Sequence, residues 1–170
     1  MKPEPTKPGF SVIKGNDLSF SGRALVELLQ AVLQKGMCVR FQAKGFSMSP
    51  FIRDKDVVTI SPMKSTKPGL GQIIAFSHPE TRGLCIHRIV RKRDSMYVTK
   101  GDNTSQTEEC VPRENILGFV TRVERDGRLV FLGLGPERFL IAFLGWRGFL
   151  FPLLFPLWKL VRPFLRRSGR

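Results

Sequence analysis

The sequence predicts a mainly β fold: a compact, coiled sheet domain with one short helix before it and a hydrophobic helical tail after it. Short runs rich in Val, Ile, Phe and Thr follow one another between Met37 and Gly133, broken by Gly, Pro and charged turns. No stretch in that interval holds a helical period. Hydrophobic residues make up 42% of the 170-residue chain, which is enough for a real core.

Residues 1–20 are Pro-rich and polar and read as a flexible arm. No apolar segment follows MKPEPTKPGF, so routing by an N-terminal signal peptide is not expected. Residues 21–36 read as a helix. Leu25, Leu28, Leu29, Val32 and Leu33 form its apolar stripe, Ser21 is the candidate cap and Gly36 the stop. The β domain spans 37–133. Its expected strands are 37–43, 56–60, 72–77, 84–90, 96–99, 116–124 and 128–133, the last two joined by a turn at Asp126–Gly127. There is no internal repeat.

Residues 134–170 differ in composition. The run 139–165 is almost entirely apolar or aromatic, but Arg147 falls within it and Pro152 and Pro156 interrupt it. A charge inside a span is costly, and proline kinks or ends a helix. An interfacial or re-entrant anchor, a true span and a tail packed on the domain or a partner are the three readings. The first is favoured, because aromatics run throughout and a basic RPFLRR end would meet anionic headgroups. The chain carries a formal charge of +14. Its cations interleave with Phe, Leu and Trp in the tail, a membrane-facing pattern. Nucleic-acid binding is not expected, since no spaced aromatic platforms lie on a basic sheet.

Cys38, Cys85 and Cys110 are odd in number and lack metal-ligand or redox spacing, so they read as small apolar fillers. No metal and no cofactor are expected.

The stretch KGFSMSP, Lys44 to Pro50, sets two serines between strand-like runs. A polar turn and a serine nucleophile both fit it. Serine needs a general base within hydrogen-bond reach. The chain offers two histidines: His78, in the polar turn SHPE, and His87, inside the strand-like LCIHRIV. A carboxylate would then orient the imidazole, and the loop from Thr99 to Glu109 supplies Asp102 and Glu108.

GFSMSPFIRDKDVVTI resembles the nucleophile box of the type I signal peptidase superfamily, which includes the self-cleaving phage and SOS repressors. Gly45, Ser47, Met48, Pro50, Asp56, Val57 and Val58 fit that box in order. Gly71, Gln72, Ile73, Ile74 and Phe76 resemble the second box, with Gln72 where Asp is usual. His87-Arg88-Ile89-Val90 resembles the base box of the Ser/His branch, seen in endoplasmic-reticulum, archaeal and sporulation-type signal peptidases. Thr99, Lys100, Gly101, Asp102 and Asn103 match the fourth box, and Ile116 to Val120 the closing strand. The likeness covers about Phe41 to Arg128.

The resemblance implies a serine endopeptidase that cleaves signal-peptide-like or other membrane-proximal bonds after small residues. Ser47 would be the nucleophile, His87 the base, and Asp102, or else Glu108, the orienting acid. The Ser47 backbone N–H would serve the oxyanion, since Gly45 replaces a serine used by some members. Met48 and Phe51 would form an apolar surface for substrate or else pack in the core, and strand alternation sets Arg88 opposite His87, as a structural residue. A protein or peptide substrate, a membrane contacted through 139–165 and a setting at the bacterial inner membrane follow, with the side unfixed. A repressor needs a DNA-binding module, and only one short helical stretch precedes Met37. A decayed peptidase domain acting as a membrane-associated scaffold is the other alternative.

Overall fold

The computed structural model describes residues 10–12, 22–63, 67–105 and 108–150. It forms one nine-stranded sheet. In chain order the elements are β1 (Phe10–Val12), α1 (Gly22–Gln34), β2 (Cys38–Gln42), β3 (Val57–Pro62), β4 (Ile73–Ser77), β5 (Leu84–Arg93), β6 (Met96–Lys100), β7 (Glu109–Pro112), β8 (Ile116–Arg125), β9 (Arg128–Leu129) and α2 (Arg138–Trp146). The strands run β1-β2-β3-β8-β4-β5-β6-β7 across the sheet, with β9 paired to β8. All pairs are antiparallel except β1 with β2. The mainly β expectation, with a helix on each side of the β region, is what the chain adopts.

Alternation along the strands makes two cores. Ile73 and Ala75 of β4 join Val39, Val58, Ile60, Val120 and Val123 on one face. Ile74 and Phe76, the intervening residues, join Ile89, Tyr97, Val111, Ile116 and Phe119 on the other. Helix α1 closes the first core with Leu29 and Leu33, and Val26 is buried too, a spacing that keeps one helical face inward. Leu28, expected within the buried stripe, lies at its margin with 36% exposure. The helix ends as Gly36 suggests: the Met37 N–H reaches the Val32 carbonyl and the Gly36 N–H the Leu33 carbonyl. Ser21 lies outside the described residues.

Three differences from the sequence reading have plain causes. Phe10–Val12, read as arm, adds to the outer edge of β2 in parallel register, Phe10 opposite Cys38; the rest of 1–20 is outside the described residues. Strand β7 fell within a stretch too polar to read as a strand. It is an edge strand, where charge and proline are at home because one side of the ladder is open. The last expected strand stops at Leu129, and Phe131 and Leu132 stand 76% and 62% exposed. Cys110, read as a filler, is exposed, while Cys38 and Cys85 are half-buried.

A third, smaller core joins α2 to the loop between β2 and β3: Ile141, and Leu150 beyond the helix, pack on Phe51. Helix α2 ends at Trp146, because Gly148 takes the left-handed conformation and the Phe149 N–H turns back to the Leu144 carbonyl. No described helix is long and apolar enough to cross a membrane. The expected tail segment beyond Leu150 lies outside the described residues.

Arg88 ties these parts together. It is fully buried, and its Nε and Nη2 donate to the two Asp102 oxygens at 2.8 and 2.7 Å. Its Nη1 donates to the carbonyls of Gly71 and Gly133, both at 2.8 Å, and the guanidinium lies 5.4 Å from the Phe51 ring centre. Truncating Arg88 would strand a buried carboxylate, a loss of about 3–5 kcal/mol. Urea denaturation of Arg88→Met is expected to show that loss, and R88M/D102L to regain more than half of it. A single variant as stable as the parent would disprove the anchoring role.

Candidate active site

Ser47 lies in the loop between β2 and β3, held from both sides. Its carbonyl accepts the Asn103 N–H at 2.7 Å, and the Asn103 side-chain amide donates to the Phe46 carbonyl at 3.3 Å. Only glycine allows the approach at 101: a Cβ there would stand 2.8 Å from the Ser47 carbonyl oxygen. Past Ser47, the buried Asp56 accepts the Arg53 N–H at 2.8 Å and a two-pronged Arg125 at 2.9 and 2.7 Å. The same guanidinium donates to the Pro50 and Phe51 carbonyls, each at 3.3 Å. Gly45 N–H donates to Asp54 at 3.0 Å. The loop is therefore fixed by carboxylates and backbone groups, and the Ser47 side chain makes no hydrogen bond among the described residues.

His87 sits on β5 opposite Ile74 of β4. Its neighbour Arg88 is opposite Lys100, the residue just before the Gly101–Asn103 turn that holds Ser47. Strand alternation sends His87 and Arg88 to opposite faces. On the His87 face lie the Phe76 ring, 5.9 Å away centre to centre, and Glu109. The His87 Nδ1 is 3.3 Å from Glu109 Oε2, two buried atoms that face each other without full hydrogen-bond alignment. His78 approaches the same carboxylate from the other side, with Nε2 3.8 Å from Oε1. Its Nδ1 accepts the Glu80 and Thr81 N–H groups at 3.2 Å, so a neutral His78 carries its proton on Nε2, toward Glu109.

Burial holds the His87 pKa below its usual 6.5, while Glu109 and, less strongly, Asp102 draw it up and His78 opposes them. Burial and the Glu109 charge push the Cys85 thiol up to about 11, so it stays protonated and unreactive at neutral pH. Burial also raises the Asp102 carboxyl, against the pull of Arg88. No group of three or more metal-ligating side chains gathers among the described residues.

The family model for Peptidase S24-like proteins matches residues 16–121 of this chain. The chain belongs to the Peptidase S24-like family. Its domain is thus that of a serine peptidase family. No curated protein and no solved structure matches it. The match ends within β8, so Arg125, β9 and α2 of this S24-like protein lie beyond it.

Against this geometry the expected site residues divide. Ser47 and the turn next to the His87 strand are brought together, although no hydrogen bond joins Ser47 to His87 among the described residues. Asp102, expected to orient His87, has both oxygens clasped by Arg88 and acts on His87 through its charge, less strongly than Glu109. Glu108, its alternate, is exposed. The carboxylate beside the imidazole is Glu109, which sequence reasoning missed. Met48 and Phe51, for which a substrate-facing surface is one expectation, are 4% and 5% exposed because each is a core residue, Met48 in the first core and Phe51 against Arg88 and Ile141 of α2. The apolar side chain this loop does present is Phe46, at 67% exposure. Gln72, in the place of the usual Asp, closes its own turn by accepting the Gly69 N–H at 2.7 Å.

The electrostatics give a testable shift. Removing the Glu109 charge in Glu109→Gln takes away a group that favours imidazolium, so His87 should titrate at lower pH than in the parent, read by NMR of its ring protons. An unmoved midpoint would refute the pairing. The sign for stability also follows. The native His87 pKa is below the unfolded value, so the unfolded chain binds the extra proton first. This contribution is complete above about pH 6.5 and is lost as pH falls below it.

Proposed function

We propose that this S24-like protein is a serine endopeptidase in which Ser47 is the nucleophile, His87 the general base and Glu109 the residue that orients the base. The observation that carries this reading is the Asn103 N–H bound to the Ser47 carbonyl at 2.7 Å, which presses the serine loop against the turn beside the His87 strand. Ser47 Oγ attacks the scissile carbonyl carbon. His87 takes the hydroxyl proton on Nε2, because Nδ1 faces Glu109. The proton then passes to the leaving amine, and water, deprotonated by the same imidazole, hydrolyses the acyl-enzyme on Ser47. The Ser47 N–H, which meets no acceptor among the described residues, serves the developing oxyanion.

The signal-peptidase branch is part of the proposal. It rests on the resemblance of His87-Arg88-Ile89-Val90 to the Ser/His base box, and it carries a preference for small residues before the cut and an extended substrate paired to a sheet edge.

The test is cleavage of preproteins and peptides with small residues at the cut position, read by mass spectrometry with the protein in lipid vesicles. Wild type should cleave, Ser47→Ala should not, and His87→Ala should lose roughly 10²–10⁴-fold, the usual share of general acid–base catalysis. E109Q should cut more slowly with a displaced pH profile. Self-cleavage at a rate independent of protein concentration, with no cut in trans, would make the protein an autoprotease instead. A folded protein that cuts nothing across the panel would be a binding scaffold.

A further inference from the structure

We propose that the outer face of α2 docks on the surface of a bilayer containing anionic lipid. Helix α2 turns Ile141, Ala142 and Gly145 inward and leaves Phe139, Leu140, Phe143 and Trp146 49%, 61%, 49% and 39% exposed. Phe149, just past the helix, is 59% exposed. A face this rich in exposed aromatics is a contact surface awaiting its partner.

The charges around it select the partner. The Arg147 guanidinium lies 5.4 and 5.2 Å from the Phe143 and Trp146 ring centres, Arg91 is 5.7 Å from Trp146, and Arg138 is 5.0 Å from Phe139. These cations lie against the rings that the helix exposes, the pairing of apolar body and basic rim that suits an anionic lipid surface. The acid at the start of the helix is turned away: Glu137 accepts the Gly133 and Gly135 N–H groups at 2.7 and 3.0 Å. Asp94, in the β5–β6 turn, follows Arg91, Lys92 and Arg93, so that strand end stays cationic.

Length decides the mode of contact. Nine helical residues rise about 14 Å, against about 30 Å for a bilayer core, so α2 lies on the surface rather than crossing it. The sequence after Leu150 continues the same chemistry, with Phe, Leu and Trp interleaved with Lys159, Arg162, Arg166 and Arg167. The face is tied to the serine loop, because Ile141 of α2, with Leu150 beyond it, packs on Phe51. Docking would therefore hold the Ser47 loop near the lipid. The inference does not depend on the peptidase chemistry.

The test uses the full chain carrying Trp158→Phe, which leaves Trp146 as its one tryptophan. Vesicles of phosphatidylcholine, with and without phosphatidylglycerol, are prepared with ordinary or brominated acyl chains. With the anionic vesicles Trp146 emission should shift to the blue and be quenched by the brominated lipid, and high salt should reverse both. R91E/R147E should weaken partitioning at least about tenfold, from roughly a factor of five per surface cation. Ser47→Ala should bind like the parent, so a failed peptidase assay and a failed docking assay remain separate results. Vesicle binding without quenching of Trp146 would assign docking to residues after 150 and overturn the proposal. Trp146 emission already blue-shifted without lipid and unchanged by it would mean that residues 151–170 or a second copy cover the face, which also overturns it. Absence of binding to anionic vesicles would do the same.

Discussion

The Arg88–Asp102 fork is the constraint on which the rest of the molecule depends. A guanidinium with no exposure is tolerable only when its donors are used, and Arg88 spends them on a carboxylate and two carbonyls. Its partners come from the turn before β4, the turn after β6 and the segment after β9. Because Asp102 is fixed, Asn103 is fixed, and because Asn103 is fixed, so is the carbonyl of Ser47. The second fork, Arg125 on Asp56, holds the other end of the same loop. One buried ion pair and one half-buried pair thus do for the serine loop what a short loop would do by stiffness alone.

This arrangement explains why the acid beside His87 is not the one that the loop pattern points to. Asp102 follows strand β6 closely, but both its oxygens are taken by Arg88. The carboxylate nearest the imidazole comes instead from the edge strand. Register supplies it: Glu109 pairs with Thr99, and Thr99 with Ile89, two residues from His87 along β5. Alternation keeps all of these on one side of the sheet.

The legible part of the molecule was therefore the part written in local pattern. The strand runs from β2 to β6 and β8, the helix that stops at Gly36, the serine loop and the histidine inside an apolar strand could all be read from neighbours in sequence. Arg88 could be read as opposite to His87 from alternation alone. Glu109 could not, because its role depends on a four-residue edge strand whose Glu, Cys and Pro give no strand signal. Only the order β5-β6-β7 brings it to the imidazole. Met48 and Phe51 were open for a related reason. An apolar residue in such a loop looks the same in sequence whether it faces a substrate or a core, and here both are buried in core clusters.

The position of β7 at the rim has a further consequence. Edge strands open in small, local fluctuations long before the whole domain unfolds. The carboxylate that faces His87 rides on such a strand, four residues long, whereas the serine loop is bolted to the interior by two guanidinium forks. Warming or mild denaturant should therefore separate the imidazole from Glu109 while the Ser47 loop is still in place. In the proposed chemistry, proton handling would be governed by the fraying of one short ribbon, and the free energy of that fraying is a different quantity from the stability of the fold.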